Sequence, residues 1–180
     1  MYKAVHQPSG QEIIILDTRW MQQVELLRTL DKQDALVCPG CEQPVRVRAG
    51  KIKRWHFAHK HLANCPFERE SPILLKSRAV LYTWLAGKFD IEHITIEKRI
   101  PDSTLHRHVD CWVENEDRVL AYWIFDRRLP PAERDSLKSE FKKIGVPIIW
   151  VFVSDLLRVD FVGMQDRLHL TTTERAFIRK

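Results

Sequence analysis

Cys38, Cys41, His56, His59 and Cys65 are the side chains of this chain best suited to hold a metal ion. Cys38-Pro39-Gly40-Cys41 sets two thiols two residues apart with a glycine between them, a turn that lets backbone wrap one ion. Zinc takes four nitrogen or sulfur ligands in a tetrahedron, at about 2.0 to 2.3 Å. The second pair must come from His56, His59 and Cys65. If residues 51–58 form a strand, His56 and His59 point to opposite faces, because side chains alternate with period two. His59 leaving the strand end and Cys65 arriving from the next loop close the tetrahedron without strain. The expected set is therefore Cys38, Cys41, His59 and Cys65 around Zn2+, with His56 as a competing ligand. The bland alternative, free thiols beside unrelated histidines, needs all five to gather by chance. Cys111 lies between Val109 and Val113 in an apolar run and reads as a small core residue.

Positive charge gathers over the same stretch. Arg46, Arg48, Lys51, Lys53, Arg54 and Lys60 lie between positions 44 and 61 with no acid among them. Val45, Val47 and Ile52 interleave, so an apolar side can pack inward while the arginine side faces water. A one-sign face of this kind is the electrostatic footprint of phosphate binding; the plain alternative is a solvated hairpin. The expected partner is nucleic acid, DNA ahead of RNA, held by phosphate contacts rather than base reading. The whole chain carries +5 at pH 7, too modest an excess to argue for polyanions by itself.

The elements that must position these groups follow from the pattern. With 180 residues, 44% of them apolar, the chain can bury a real core. No stretch reaches the roughly 20 apolar residues of a membrane span, and the N-terminus lacks a secretory h-region. The expectation is a cytoplasmic protein with no membrane partner, where cysteines are more often ligands than disulfides. Residues 1–34 read as a β-hairpin turning at Pro8-Ser9-Gly10, then a helix capped by Asp17. Residues 35–68 hold a short strand, the cysteine pair and a hairpin over 44–58 turning near Gly50. Residues 69–155 begin with a helix capped by Ser71 and opened by Pro72. Strands over 91–100, 107–114 and 119–125 follow, then a helix from Pro130-Pro131 to Gly145. The last strand, 147–153, is apolar enough to be buried on both faces. Residues 156–180 read as an extension whose short helix is capped by Thr171 and Glu174.

The run from 37 to 45 (VCPGCEQPV), the Gly50 to His59 stretch ending HFAH, Cys65, Glu70-Ser71, Arg107-x-x-Asp110 and Gly145…Trp150 together resemble the competence protein CoiA-like family. The resemblance implies a zinc-ribbon-like segment in front of a nuclease domain of the PD-(D/E)xK type. The fold class expected is thus α+β or α/β: a restriction-endonuclease-like αβββαβ core behind a small zinc-binding hairpin module. Fold order alone says little about activity.

Metal-dependent phosphodiester cleavage needs carboxylates that hold Mg2+ or Mn2+ against the scissile phosphate. By the resemblance these come from Glu70, Asp110 and a Glu-x-Gln or Glu-x-Lys on the following strand. Trp123 and Phe125 stand where that third pair should be, and Leu74 and Arg78 stand where the family carries His-x-x-x-Lys. Glu114 and Asp126 are too far along, or on the wrong face, to substitute. Glu70 and Asp110 are then remnants; the plain alternatives are a strand-end salt bridge of Asp110 with Arg107 or Arg99, and for Glu70 a favourable charge near a helix N-terminus. The expectation is a non-catalytic nucleic-acid-binding protein acting in DNA processing or uptake. The alternatives are an active Mg2+ or Mn2+ nuclease with a rearranged site, and an adaptor binding a protein partner through the aromatic face that replaced the site. Tyr122 and Trp123 themselves read as core, with base stacking the alternative.

Overall fold

The computed structural model describes residues 1–51, 54–61, 64–65, 67, 70–100, 108–116, 118–126 and 130–153 in full, and the backbone of 158–162 and 165–169. Lys53, Arg107 and the expected cap at Thr171 and Glu174 lie outside the described residues.

Strands β1 (Lys3–His6) and β2 (Gln11–Ile14) form the expected antiparallel hairpin. Gly10 closes its turn at φ +71°, a conformation that glycine adopts without steric cost. The short strand β3 (Leu36–Val37) pairs with the other edge of β1. Asp17 caps as expected, its carboxylate accepting from the Arg19 amide. The helix it starts does not run on. It divides into α1 (Thr18–Met21) and α2 (Val24–Lys32), of which only Leu27 is fully buried.

The expected second hairpin is β4 (Val45–Arg48) against β5 (His56–His59), shorter than the pattern suggested. Its register pairs Val45 with His59, Arg46 with Ala58, Val47 with Phe57 and Arg48 with His56. The Phe57 amide donates to the Met1 carbonyl, which ties β5 to the start of the chain.

Helix α3 (Pro72–Ala86) starts as read: the Ser71 hydroxyl accepts from the Leu74 amide and proline occupies the first turn. A four-stranded sheet follows in the order β6 (Ile94–Lys98), β7 (Val109–Glu114), β8 (Val119–Phe125), β9 (Ile148–Phe152). The first three pair antiparallel; β9 runs parallel to β8 after a crossover through α4 (Pro131–Ile144), which Gly145 ends at φ +68°. Parallel neighbours need such a crossover, commonly a helix. The protein is thus a mixed α+β molecule with the expected order of helix, three strands, helix, strand. The first strand is shorter than expected, because residues 91–93 form a 3-10 turn.

Two apolar cores lie on the two faces of this sheet. Leu74, Leu81 and Leu85 of α3 share one core with Ile96, Cys111 and Ile124. Leu137 and Phe141 of α4 share the other with Val109, Trp123 and Phe125. Cys111 is fully buried, as its apolar neighbours implied. The α3-side core continues through Ile13, Leu36, Val45 and Phe57, so the N-terminal sheet and the second hairpin pack on it rather than standing apart.

Strand β9 corrects an expectation. Its apolar run suggested burial on both faces, but it is the edge of the sheet and Ile149 is 38% exposed. Beyond it, β10 (Arg158–Val162) and β11 (Gln165–His169) pair as an antiparallel hairpin where the sequence had suggested no strands. No helix among the described residues is long and apolar enough to cross a membrane.

Candidate metal centre and nucleic-acid interface

Three pieces of chain converge on one point. The turn after β3 supplies Cys38 and Cys41, the last residue of β5 supplies His59, and the following loop supplies Cys65. One ligand atom from each lies within 4.8 Å of every other. Cys38 Sγ stands 3.7 Å from Cys65 Sγ, and Cys41 Sγ stands 3.3 Å from His59 Nε2. The edge of a tetrahedron built on Zn–S bonds of about 2.3 Å is about 3.8 Å, so these spacings suit a shared ion. The Gly40 amide donates to Cys38 Sγ at 3.3 Å, fixing that sulfur as a thiolate ligand needs. Gly40 also packs closely: a Cβ there would stand 3.0 Å from the Phe67 ring, which would have to shift.

Burial pushes the Cys38 and Cys65 thiols up from their ordinary pKa, and Cys41 adds to both. Clustered thiols so placed stay protonated unless a cation joins them, and a divalent soft-ligand metal reverses that balance by deprotonating its thiols. The donor set fits zinc.

The alternation of β5 separates the two histidines as expected. His59 shares the inward face with Val45, Val47 and Phe57. His56 lies on the other face, across from Arg48, with its Nδ1 2.9 Å from the Arg54 carbonyl oxygen. It is outside the ligand cluster, which corrects its role as a competing ligand.

That outer face carries the charge. Arg46 and Arg48 are both exposed, two residues apart on β4, and Lys51 and Arg54 are exposed near the turn. Lys60 departs from the expectation. Its ammonium is 2.8 Å from Asp31 and 2.6 Å from Asp34, and it also donates to the Asp31 carbonyl. The stretch contains no acid, but folding brings two from the end of α2 and just beyond it. Asp31 further accepts from the Val47 amide at 2.9 Å and so anchors β4 itself. Lys60 is a strut of the module, not a free phosphate contact.

Glu70 and Asp110 do come together, around a residue whose role the sequence did not reveal. Arg78 of α3 is 2% exposed. Its guanidinium lies 2.6 Å from Glu70, 2.7 Å from Asp110 and 2.7 Å from Glu97. Asp110 thus pairs with Arg78; Arg107, one of the two arginines considered for it, lies outside the described residues. Burial opposes the charged form of Arg78, and the three carboxylates outweigh it, raising its pKa well above the usual value. Burial also raises Glu70, which Arg78 partly offsets.

Glu97 was missed because Ile94 and Ile96 alternate, which makes the next residue look solvent-facing. Two departures turn both acids inward. Glu97 adopts φ +52°, and the β6–β7 ladder skips its pairing with Asp110. Val109 and Trp112 face the α4-side core while Cys111 and Val113 face the α3 side, so the alternation of β7 breaks at Asp110.

The other carboxylates do not join them. Asp126 accepts from the Ser71 hydroxyl at 2.5 Å, and Glu114 accepts from the Trp112 indole and Lys98 at the surface. Trp123 and Phe125 are core: Trp123 meets Phe141 edge-on at 5.9 Å, and Phe125 stacks on Phe152 at 5.3 Å. Tyr122 is 5% exposed. The rings are core, as their place in a central hairpin favoured, and the alternatives of docking a protein or stacking bases lose their surface to α4 and α3.

Fold and site together define a mixed α+β protein with a Cys3His cluster in its N-terminal β region. Within it, residues 20–68 match the family model described as Competence protein CoiA, N-terminal domain. The match spans the cysteine turn, the cationic hairpin and Cys65, and bears out the family resemblance over that segment. No curated protein matches the chain.

Proposed function

We propose that this protein binds zinc through Cys38, Cys41, His59 and Cys65 and uses the hairpin so pinned to bind nucleic acid, DNA in the first instance, without cutting it. The observation that carries the reading is the division of the hairpin into two faces. One holds His59 to the cysteines, and the other presents Arg46 and Arg48 to solvent. Guanidinium groups on a rigid strand lose little freedom when they meet phosphates, and phosphate contacts need no base recognition. The competence-protein match over the same residues points to DNA-related work. Zinc there would be structural: four protein ligands leave no open position for catalysis.

The scaffold behind it is read as restriction-endonuclease-like from its αβββαβ order, and as non-catalytic. The support for the second part is chemical. Glu70 and Asp110 are consumed by Arg78, and apolar rings fill the place of the third acid and its polar partner.

Binding is tested by titrating single- and double-stranded DNA over a salt series. Affinity should fall steeply with salt. The double variant Arg46→Glu/Arg48→Glu should weaken binding across all sequences and flatten the log–log salt slope by about 2, one unit per lost phosphate contact. Salt-insensitive binding, or a charge reversal without effect, refutes the interface.

A further inference from the structure

Glu70, Glu97 and Asp110 come from a loop, from β6 and from β7, and one guanidinium touches all three. An arginine has five N–H donors in a fixed fork, and here each has an acceptor. Nε donates to Asp110, one terminal nitrogen to Glu97 and Glu70, and the other to Glu70 and Asp110. The carboxylates have further contacts: the N-terminal ammonium lies 3.9 Å from Glu70, and backbone amides meet the other two. Glu97 accepts from the Tyr2 and Lys3 amides, and Asp110 from the Ile124 amide at 2.7 Å. Each terminal nitrogen of Arg78 therefore sits between two carboxylates, within 3.0 Å of both. That is where a small cation bridging those oxygens would sit.

We propose that Arg78 is a built-in substitute for a divalent cation. It bridges and spaces three buried carboxylates and offsets part of their charge, occupying the place a metal would take, so the native cluster takes up no Mg2+ or Mn2+ and a variant lacking the guanidinium does. The inference deepens the non-catalytic reading above but stands on the cluster alone, whatever becomes of nucleic-acid binding. The physical reason is the cost of buried charge. Removing one partner of a buried ion pair leaves the others uncompensated, and three facing carboxylates are the oxygen donors that Mg2+ and Mn2+ prefer. Arg78→Ala removes the occupant and leaves room and charge for a replacement. Arg78→Lys keeps the charge on a point ammonium and excludes the metal.

The test is an electron paramagnetic resonance titration of Mn2+ into zinc-loaded native protein, Arg78→Ala, Arg78→Lys and Arg78→Ala/Asp110→Asn. Thermal midpoints are measured with and without millimolar Mn2+. Native protein and Arg78→Lys should leave Mn2+ free and their midpoints unmoved. Arg78→Ala should bind Mn2+ and gain ~5 °C on its addition, and the added Asp110→Asn should abolish both. If Arg78→Ala does not fold alone, refolding in Mn2+ should recover it. An Arg78→Ala protein that gains neither Mn2+ nor stability overturns the proposal. So does native protein that binds Mn2+ in a manner lost in Asp110→Asn, a result that needs no arginine variant. DNA binding by the same samples is read separately, so failure here leaves the hairpin reading standing.

Discussion

A nitrogen from position 59 and a sulfur from position 65 reach the same place by different routes, one from the end of a strand and one from the loop beyond it. The types and spacing of these residues were legible in the sequence because metal ligation needs few atoms and tolerates few substitutes. Arg78 and Glu97 were not legible. A lone arginine on a helix and a lone glutamate on a strand look like surface residues until the fold shows all three carboxylates arriving together. His108 teaches the same lesson. It stacks on Phe67 with ring centroids 4.4 Å apart, its Nε2 has no partner among the described residues, and burial lowers its pKa to about 4. The unfolded chain should hold that proton near pH 6.5. Between those two values the unfolded state binds more protons, so His108 makes stability fall as pH drops from 6.5 towards 4. Thermal midpoints of His108→Phe against pH should show a shallower acid decline than the native protein. Equal slopes would mean that His108 titrates alike in both states.

Elements were easier to read than their edges. Ser71-Pro72 and Gly145 mark helix ends by local backbone chemistry, and they do so in the fold. The apolar run over 148–152 gave a strand correctly but not its place, because hydrophobicity does not say whether a strand is central or at an edge. Trp123 and Phe125 illustrate the reverse case. Read against the family pattern they marked a missing active site, and in the fold they are the ceiling under which α4 packs. Trp123 is 2% exposed, and Trp123→Ala should cost about 3 to 5 kcal/mol in denaturant unfolding through the cavity it leaves. A loss under 1 kcal/mol would show that the α4-side core does not depend on that ring. Loss of DNA affinity without loss of stability would return the aromatics to the interface.

At the scale of the molecule, one core runs from the first hairpin through the buried Cys38 and Cys65 to α3 and the sheet. Glu97 reinforces the join by accepting from two amides at the start of the chain, as does Lys60 by tying the hairpin to the end of α2. The segments read one by one along the sequence share that core. A cationic hairpin of four-residue strands is too small to hold its shape alone; here it has a core beneath it and a ligand cluster at its base. Everything proposed for the arginine face depends on that base being a metal centre. Zinc K-edge X-ray absorption on the purified protein tests this most directly. The account predicts a four-coordinate shell of three sulfurs near 2.3 Å and one nitrogen near 2.0 Å, reduced to two sulfurs in Cys65→Ser. A shell of oxygen ligands, or one unchanged by Cys65→Ser, would contradict it.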